Sequence, residues 1–187
     1  MAFCVLYETG SEFNLFQINH TDTWAANIEE NLEFVLIGRF LASLSDRLDY
    51  RRLVYYIMVV ILIGATVNIC FVQGFWPLNS ITIVTEALVI LALIFNYYYR
   101  LFEKAEEGLD LLKSPQFLTV TGLLFYFFGK FFFYSFYSFM AYKNNYNFYI
   151  LAATLPGLSN LLLNCMLIYA FLCARKNKKV LPLLKTG

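Results

Sequence analysis

Charge is scarce in this 187-residue chain. Only 14% of its residues are Asp, Glu, Lys or Arg, whereas the surface of a soluble domain of this length needs about a quarter. That shortage excludes a water-soluble globular protein and makes the bilayer the solvent. Histidine is almost absent: His20 is the single one, so the apolar part of the chain can build neither a two-histidine metal site nor a Ser/His/Asp triad. The four cysteines fit neither a disulfide framework nor a zinc site, since Cys70, Cys165 and Cys173 lie inside apolar runs and Cys4 stands alone. They read as small apolar fillers. Phosphate loops and dinucleotide fingerprints are missing, and no cofactor or metal is expected. No secretory leader is expected, because the first residues lack a basic region and Glu8 and Glu12 interrupt any apolar core. No Lys or Arg precedes Arg39.

What the chain has instead is grease: 60% hydrophobic residues, 19% aromatic residues and a mean hydropathy of +0.61. Four apolar runs are each long enough to cross a hydrocarbon core about 30 Å thick, which takes about 20 helical residues. They cover 53–75, 81–99, 117–142 and 148–174. Lipid offers no partner for a backbone N–H or C=O, so each run must satisfy its own as a helix; a β-barrel would show shorter segments alternating with period two. The segment 24–44 is a fifth candidate, apolar in its second half but carrying Glu29, Glu30 and Glu33 in its first. It is read as spanning, with an interfacial amphipathic helix as the alternative. The expected fold is therefore all-α, a polytopic transmembrane bundle of about five spans over 24–174, with a tail at 1–23 and a basic tail at 175–187.

Basic residues set the direction. Arg47, Arg51 and Arg52 precede the run at 53–75, and Arg100, Lys104 and Lys113 follow the run at 81–99. Arg175, Lys176, Lys178 and Lys179 follow the last run. The opposite connections carry no charge (73–80) or a single Lys (143–147). This bias predicts an extracytoplasmic N-terminus and a cytoplasmic C-terminus in a multi-pass protein of the cell inner membrane. Trp76, Tyr97, Tyr98, Tyr99 and Tyr142 are placed as interfacial belts. The stretch 100–114 reads as a short amphipathic helix on the cytoplasmic face, with Pro115 opening the next span.

Charged and amide groups within spans form the candidate site. Glu86 shares a helical stripe with Asn79, Thr82, Leu93 and Tyr97, and Lys130 shares one with Gly122, Tyr126 and Phe133, so both faces are predicted to look inward. At about 1.5 Å per residue, Glu86 and Lys130 reach similar depths if the third run starts at Phe117 and ends near Tyr137. The two are then either a proton- or ligand-responsive pair or an ion pair that only fixes packing. Asn160 and Asn164, one turn apart, are read as helix-pairing amides, and Pro156 with Gly157 is expected to kink the last span. A retinal Schiff base at Lys130 is set aside, because the chain is too short for seven spans.

Asn79 and Ser80 followed by Glu86 and Tyr97–Tyr99, with the run from Ser114 and Pro115 through Phe117, Gly122, Tyr126, Phe128 and Gly129, resemble a known membrane family. Glu33 with Phe34 adds a similar acid-aromatic step. The family consists of uncharacterised multi-spanning membrane proteins common in Bacteroidota, with about seven helices resembling sensory transmembrane modules. Its members have two further helices before Asn27, so the chain is either a short member or an N-terminally incomplete one. The resemblance implies a sensory membrane module with a cytoplasmic signalling partner, and it supplies no catalytic residue. The alternative is a small transporter or channel-like protein acting as a homo-oligomer. The expected partners are the lipid bilayer and either that signalling partner or a second copy, with no nucleic acid and no enzymatic activity.

Overall fold

A computed structural model describes residues 23–45, 47–74, 76–103, 111–143 and 146–184, with side chains described outside 138–143, 146–153 and 176–184. Among the described residues there are five α-helices and no strand: α1 (Thr23–Ser43), α2 (Leu48–Val67), α3 (Ser80–Glu103), α4 (Pro115–Lys143) and α5 (Tyr146–Leu184). The all-α expectation is met. The chain divides within α3, at Ile90 and Leu91, into two compact units.

In the first unit α1 ends because its last carbonyls find other donors. Leu44 and Ser45 donate back to Leu41 and Ala42 in a tightened final turn, at 3.3 and 3.2 Å. The Arg51 guanidinium then covers the carbonyl oxygens of Ser45 (2.6 Å) and Ser43 (3.3 Å) from the start of α2. These are the orphan acceptors every helix end leaves. The link fixes α1 and α2 as a hairpin, and the two approach closely: a Cβ on Gly38 would come within 2.8 Å of the Met58 sulfur. Phe34, Leu41, Ala42, Val54, Met58 and Ala65 are buried in this unit. At its far end α2 widens into a π-turn, Asn68–Val72, closed by the Gln73 N–H on the Asn68 carbonyl at 2.9 Å. Gly74, at φ +88°, then turns the chain back toward α3, a backbone conformation that costs glycine little.

The second unit contains the rest of α3 with α4 and α5. Ser114 caps α4, its side chain accepting from the Phe117 N–H at 3.4 Å, and Pro115 occupies the first helical position, where a missing N–H is harmless. Two glycines bring α4 against α5. A Cβ on Gly129 would run into the Ser159 side chain, and one on Gly122 would come within 3.0 Å of Leu163. Rings fill the contact of α3 with α4: Phe95 lies edge-on to Phe128 with centroids 6.3 Å apart, and Tyr98 to Phe117 at 5.9 Å.

Among the described residues four helices are long and apolar enough to cross a membrane, over Leu48–Val72, Ser80–Glu103, Pro115–Tyr137 and Thr154–Arg175, and this is a membrane protein. They are the four runs expected. α1 is not among them, its acids lowering its hydropathy, although it forms over the range anticipated.

Several details differ from expectation. Residues 100–103 continue α3 rather than starting a separate cytoplasmic helix; 104–110 lie outside the described residues, and Leu111–Lys113 is a 3-10 turn. α5 runs through Pro156 and Gly157 as one helix and on to Leu184, so the last span and most of the basic tail form one element. Cys70 and Cys165 are exposed and Cys173 is half-buried, so none of these three thiols fills the core; sulfur is apolar enough to meet lipid. Tyr99 is exposed, as a belt residue should be, but Tyr97 and Tyr98 are half-buried. The Tyr98 hydroxyl is drawn inward by Thr121 Oγ1 at 2.8 Å. Cys4, His20 and Tyr142 lie outside the described side chains.

Candidate functional site

The stripe on α3 is buried as its periodicity predicts, with Asn79, Thr82 and Glu86 each at 6% exposure or less. The structure adds what periodicity did not reveal, a set of amides and hydroxyls gathered around the loop 73–79 in the first unit. Asn27 comes from α1, Asn68 from the end of α2, Gln73 from the loop and Ser80 and Thr82 from the first turn of α3.

Asn27 is the clamp. Its Nδ2 donates to the Pro77 carbonyl at 2.9 Å, while its Oδ1 accepts from the Asn79 N–H at 3.0 Å. A single amide thus serves one acceptor and one donor of a loop backbone that has neither helix nor sheet to pair with. Thr23 Oγ1 donates to the Trp76 carbonyl, so two residues of α1 bond this loop, and Asn31 Nδ2 donates within α1 to the Asn27 carbonyl at 2.7 Å.

Asn68 is the hub. Its Nδ2 donates to Gln73 Oε1 and to Thr82 Oγ1, both at 2.8 Å, which ties α2, the loop and α3 together. Gln73 Nε2 reaches Ser80 Oγ at 3.4 Å. The π-turn begins at Asn68 itself, and such single-turn insertions recur at functional sites. Asn79 is 2% exposed, yet neither Oδ1 nor Nδ2 of its side chain makes a hydrogen bond among the described residues. A buried amide in that state is the costliest kind of polar group to keep. Glu86, one turn beyond Thr82 and 3% exposed, carries the stripe deeper.

Buried polarity is concentrated at the loop end. Away from the loop the same unit buries Phe34, Leu41, Val54, Met58, Ala65 and Ile90, with the Glu86 carboxyl one turn before Ile90 and the buried Ser45 at the opposite end.

The other anticipated residues lie in the second unit. Lys130 is buried at 6% exposure, with Nζ 4.9 Å from the Tyr126 ring centre and 5.8 Å from that of Phe127. A cation over ring faces gains from their negative quadrupole when water is excluded. Glu86 belongs to the first unit and Lys130 to the second. Asn160 and Asn164 do meet, Asn164 Nδ2 donating to Asn160 Oδ1 at 3.3 Å, but Asn164 is exposed rather than packed against a neighbouring helix.

Asn27, Asn68, Gln73 and Ser80 were not anticipated as site residues. Asn27 and Asn68 carried the same signal as Asn160, an amide in or beside an apolar run. Among the described residues no group of three His, Cys, Asp or Glu gathers where it could hold a metal ion. The arrangement can bind, orient or exchange hydrogen bonds. Set against family models, curated proteins and solved structures, the chain matches none of them.

Proposed function

We propose that the protein is a multi-pass membrane sensor module whose responsive part is the amide cluster around the loop 73–79. One observation carries this reading: among the described residues most buried polar groups of the first unit, Asn27, Asn68, Asn79, Ser80 and Thr82, collect at one end of its helices, and the packing beyond Glu86 is mainly apolar. A transporter needs polar groups at successive depths, whereas a sensor needs a polar site at one face and a rigid lever behind it. The Asn68 hub supports that role, since any change at the loop is felt at once by the ends of α2 and α3. The resemblance to sensory seven-helix proteins points the same way.

The orientation proposed from the Lys and Arg pattern puts the cluster on the extracytoplasmic side of the inner membrane and the C-terminus in the cytoplasm, where the basic end of α5 offers a docking site for a signalling partner. It also has α1 crossing the membrane. Two features support the crossing: α1 lies beside α2 from the Arg51 link at one end to the Asn27 clamp at the other, and 21 residues at about 1.5 Å each match the hydrocarbon thickness.

Reporter fusions at residues 14, 109 and 187 test the sidedness. Position 14 should report outside, and 109 and 187 inside. Purified protein in liposomes loaded with ion-sensitive and solute-sensitive dyes tests the class: the sensor reading expects no protein-dependent flux, and flux that Glu86→Gln abolishes would replace it with the transporter reading.

A further inference from the structure

The bare face of α5 carries polar groups at a depth where lipid cannot satisfy them. The apolar stretch Thr154–Arg175 has 22 residues, of which only Ala170 is buried, and Asn164 is the eleventh, at mid-span. At about 1.5 Å per residue it stands roughly 15 Å from either end. The two-carbon stem of asparagine cannot snorkel that far, as lysine or arginine does. Ser159, Leu163 and Met166 mark the side of α5 that meets α4. Asn164 is turned from Leu163 by about 100° and is exposed, together with Leu161 and Ile168 on the same side. Its bond to Asn160 uses one N–H. The second N–H and both lone pairs of the Asn164 carbonyl oxygen remain, and in hydrocarbon such groups must find protein.

We propose that this face of α5 is the interface of a homodimer, in which Asn164 of each copy donates to the Asn164 Oδ1 of the other across a two-fold axis. A second copy is the occupant that the chemistry selects. A carboxamide is its own complement, donor and acceptor in one group, so the same residue meeting itself across a two-fold axis satisfies both halves at once. Gly157, two turns before Asn164 on the same side, supports a close crossing: a Cβ added there would meet nothing within 4 Å, so the helix is notched where a second backbone would pass. The inference is independent of the sensor reading, since a dimer serves either class.

The test uses the full chain in liposomes, with its four cysteines replaced by serine or alanine and single cysteines introduced by Leu161→Cys, Ile168→Cys or Leu163→Cys. Oxidation should give covalent dimers from positions 161 and 168 and at least tenfold less from 163, which faces α4. Adding Asn164→Leu should lower the yield at 161 and 168 several-fold, and Asn164→Gln, which keeps an amide, should restore most of it. Equal yields at all three positions, no dimer at any, or a yield indifferent to Asn164→Leu would overturn the proposal. Because the single-cysteine series keeps Asn164 intact, the result does not depend on the leucine variant folding.

Discussion

The two units treat the same residue type in opposite ways. In the first, Asn27, Asn68 and Asn79 are buried between helices, and Asn27 and Asn68 are hydrogen-bonded to groups on other elements. In the second, the exposed Asn164 bonds to the half-buried Asn160 of its own helix. The mode of cohesion shifts in parallel. The first unit adds to its close approach at Gly38 a set of amide side chains that bridge elements through hydrogen bonds. The second relies more on close helix approach at Gly122 and Gly129 and on edge-on rings, with Tyr98 and Thr121 bonded between α3 and α4. An amide in an apolar run therefore has no fixed meaning. Its role is set by whether the neighbouring backbone leaves a donor or acceptor unpaired, as the loop 73–79 does, or whether the helix simply faces outward.

The sharpest way to break this contrast is Asn27→Leu. It leaves the buried Asn79 N–H without a partner, costing about 1–3 kcal/mol, while the exposed Pro77 carbonyl loses less. Melting in detergent should fall by roughly 2–12 °C, at about 2–4 °C per kcal/mol for a chain of this size. Hydrogen exchange should rise in α1 and α2 and stay level in α4. The reciprocal change is Gly129→Val, which drives a branched side chain into Ser159 and should cost about 1–3 kcal/mol. Exchange should now rise in α4 and α5 instead, and pairing it with Ser159→Gly should recover part of the loss.

Asn68→Leu removes the hub but leaves Gln73, Ser80 and Thr82 able to regroup, so about 0.6–2 kcal/mol is expected, seen as faster exchange at the end of α2. Least affected should be Tyr98→Phe. It deletes one bond of 2.8 Å while Thr121 keeps its link to the Phe117 carbonyl, and a cost of about 0.5–1 kcal/mol should be near the limit of a thermal melt.

Helix existence and the inward stripes were legible because a bilayer forces long uninterrupted runs and because a 3.6-residue repeat survives in the sequence. Asn79, Thr82 and Glu86 on α3, and Gly122, Lys130 and Phe133 on α4, are all buried as that repeat requires. The amide cluster was not legible, and the reason is specific. The partners of Asn27 are backbone groups of a loop, whose directions no periodicity encodes, and the π-turn at Asn68–Val72 follows no composition rule. The inward turn of Tyr98 escaped for a related reason: an aromatic residue near a helix end satisfies the interfacial pattern whichever way it points, and only the position of Thr121 on the neighbouring helix decides. The length of α5 was underestimated because basic residues mark the edge of a membrane without ending a helix.

The central claim is that the polar groups at the loop end of the first unit do not open a water path past Glu86 toward the other end. Side-specific cysteine modification along α3 tests it most directly, using a membrane-impermeant thiol reagent on a chain freed of its own cysteines. Trp76→Cys, at an exposed position, should react from one face only and identify it as the outer one. Asn79→Cys and Thr82→Cys should react more slowly from that same face, and Ile90→Cys from neither. Modification of Ile90→Cys, or of Thr82→Cys from the cytoplasmic face, would reveal water through the whole unit and contradict the account.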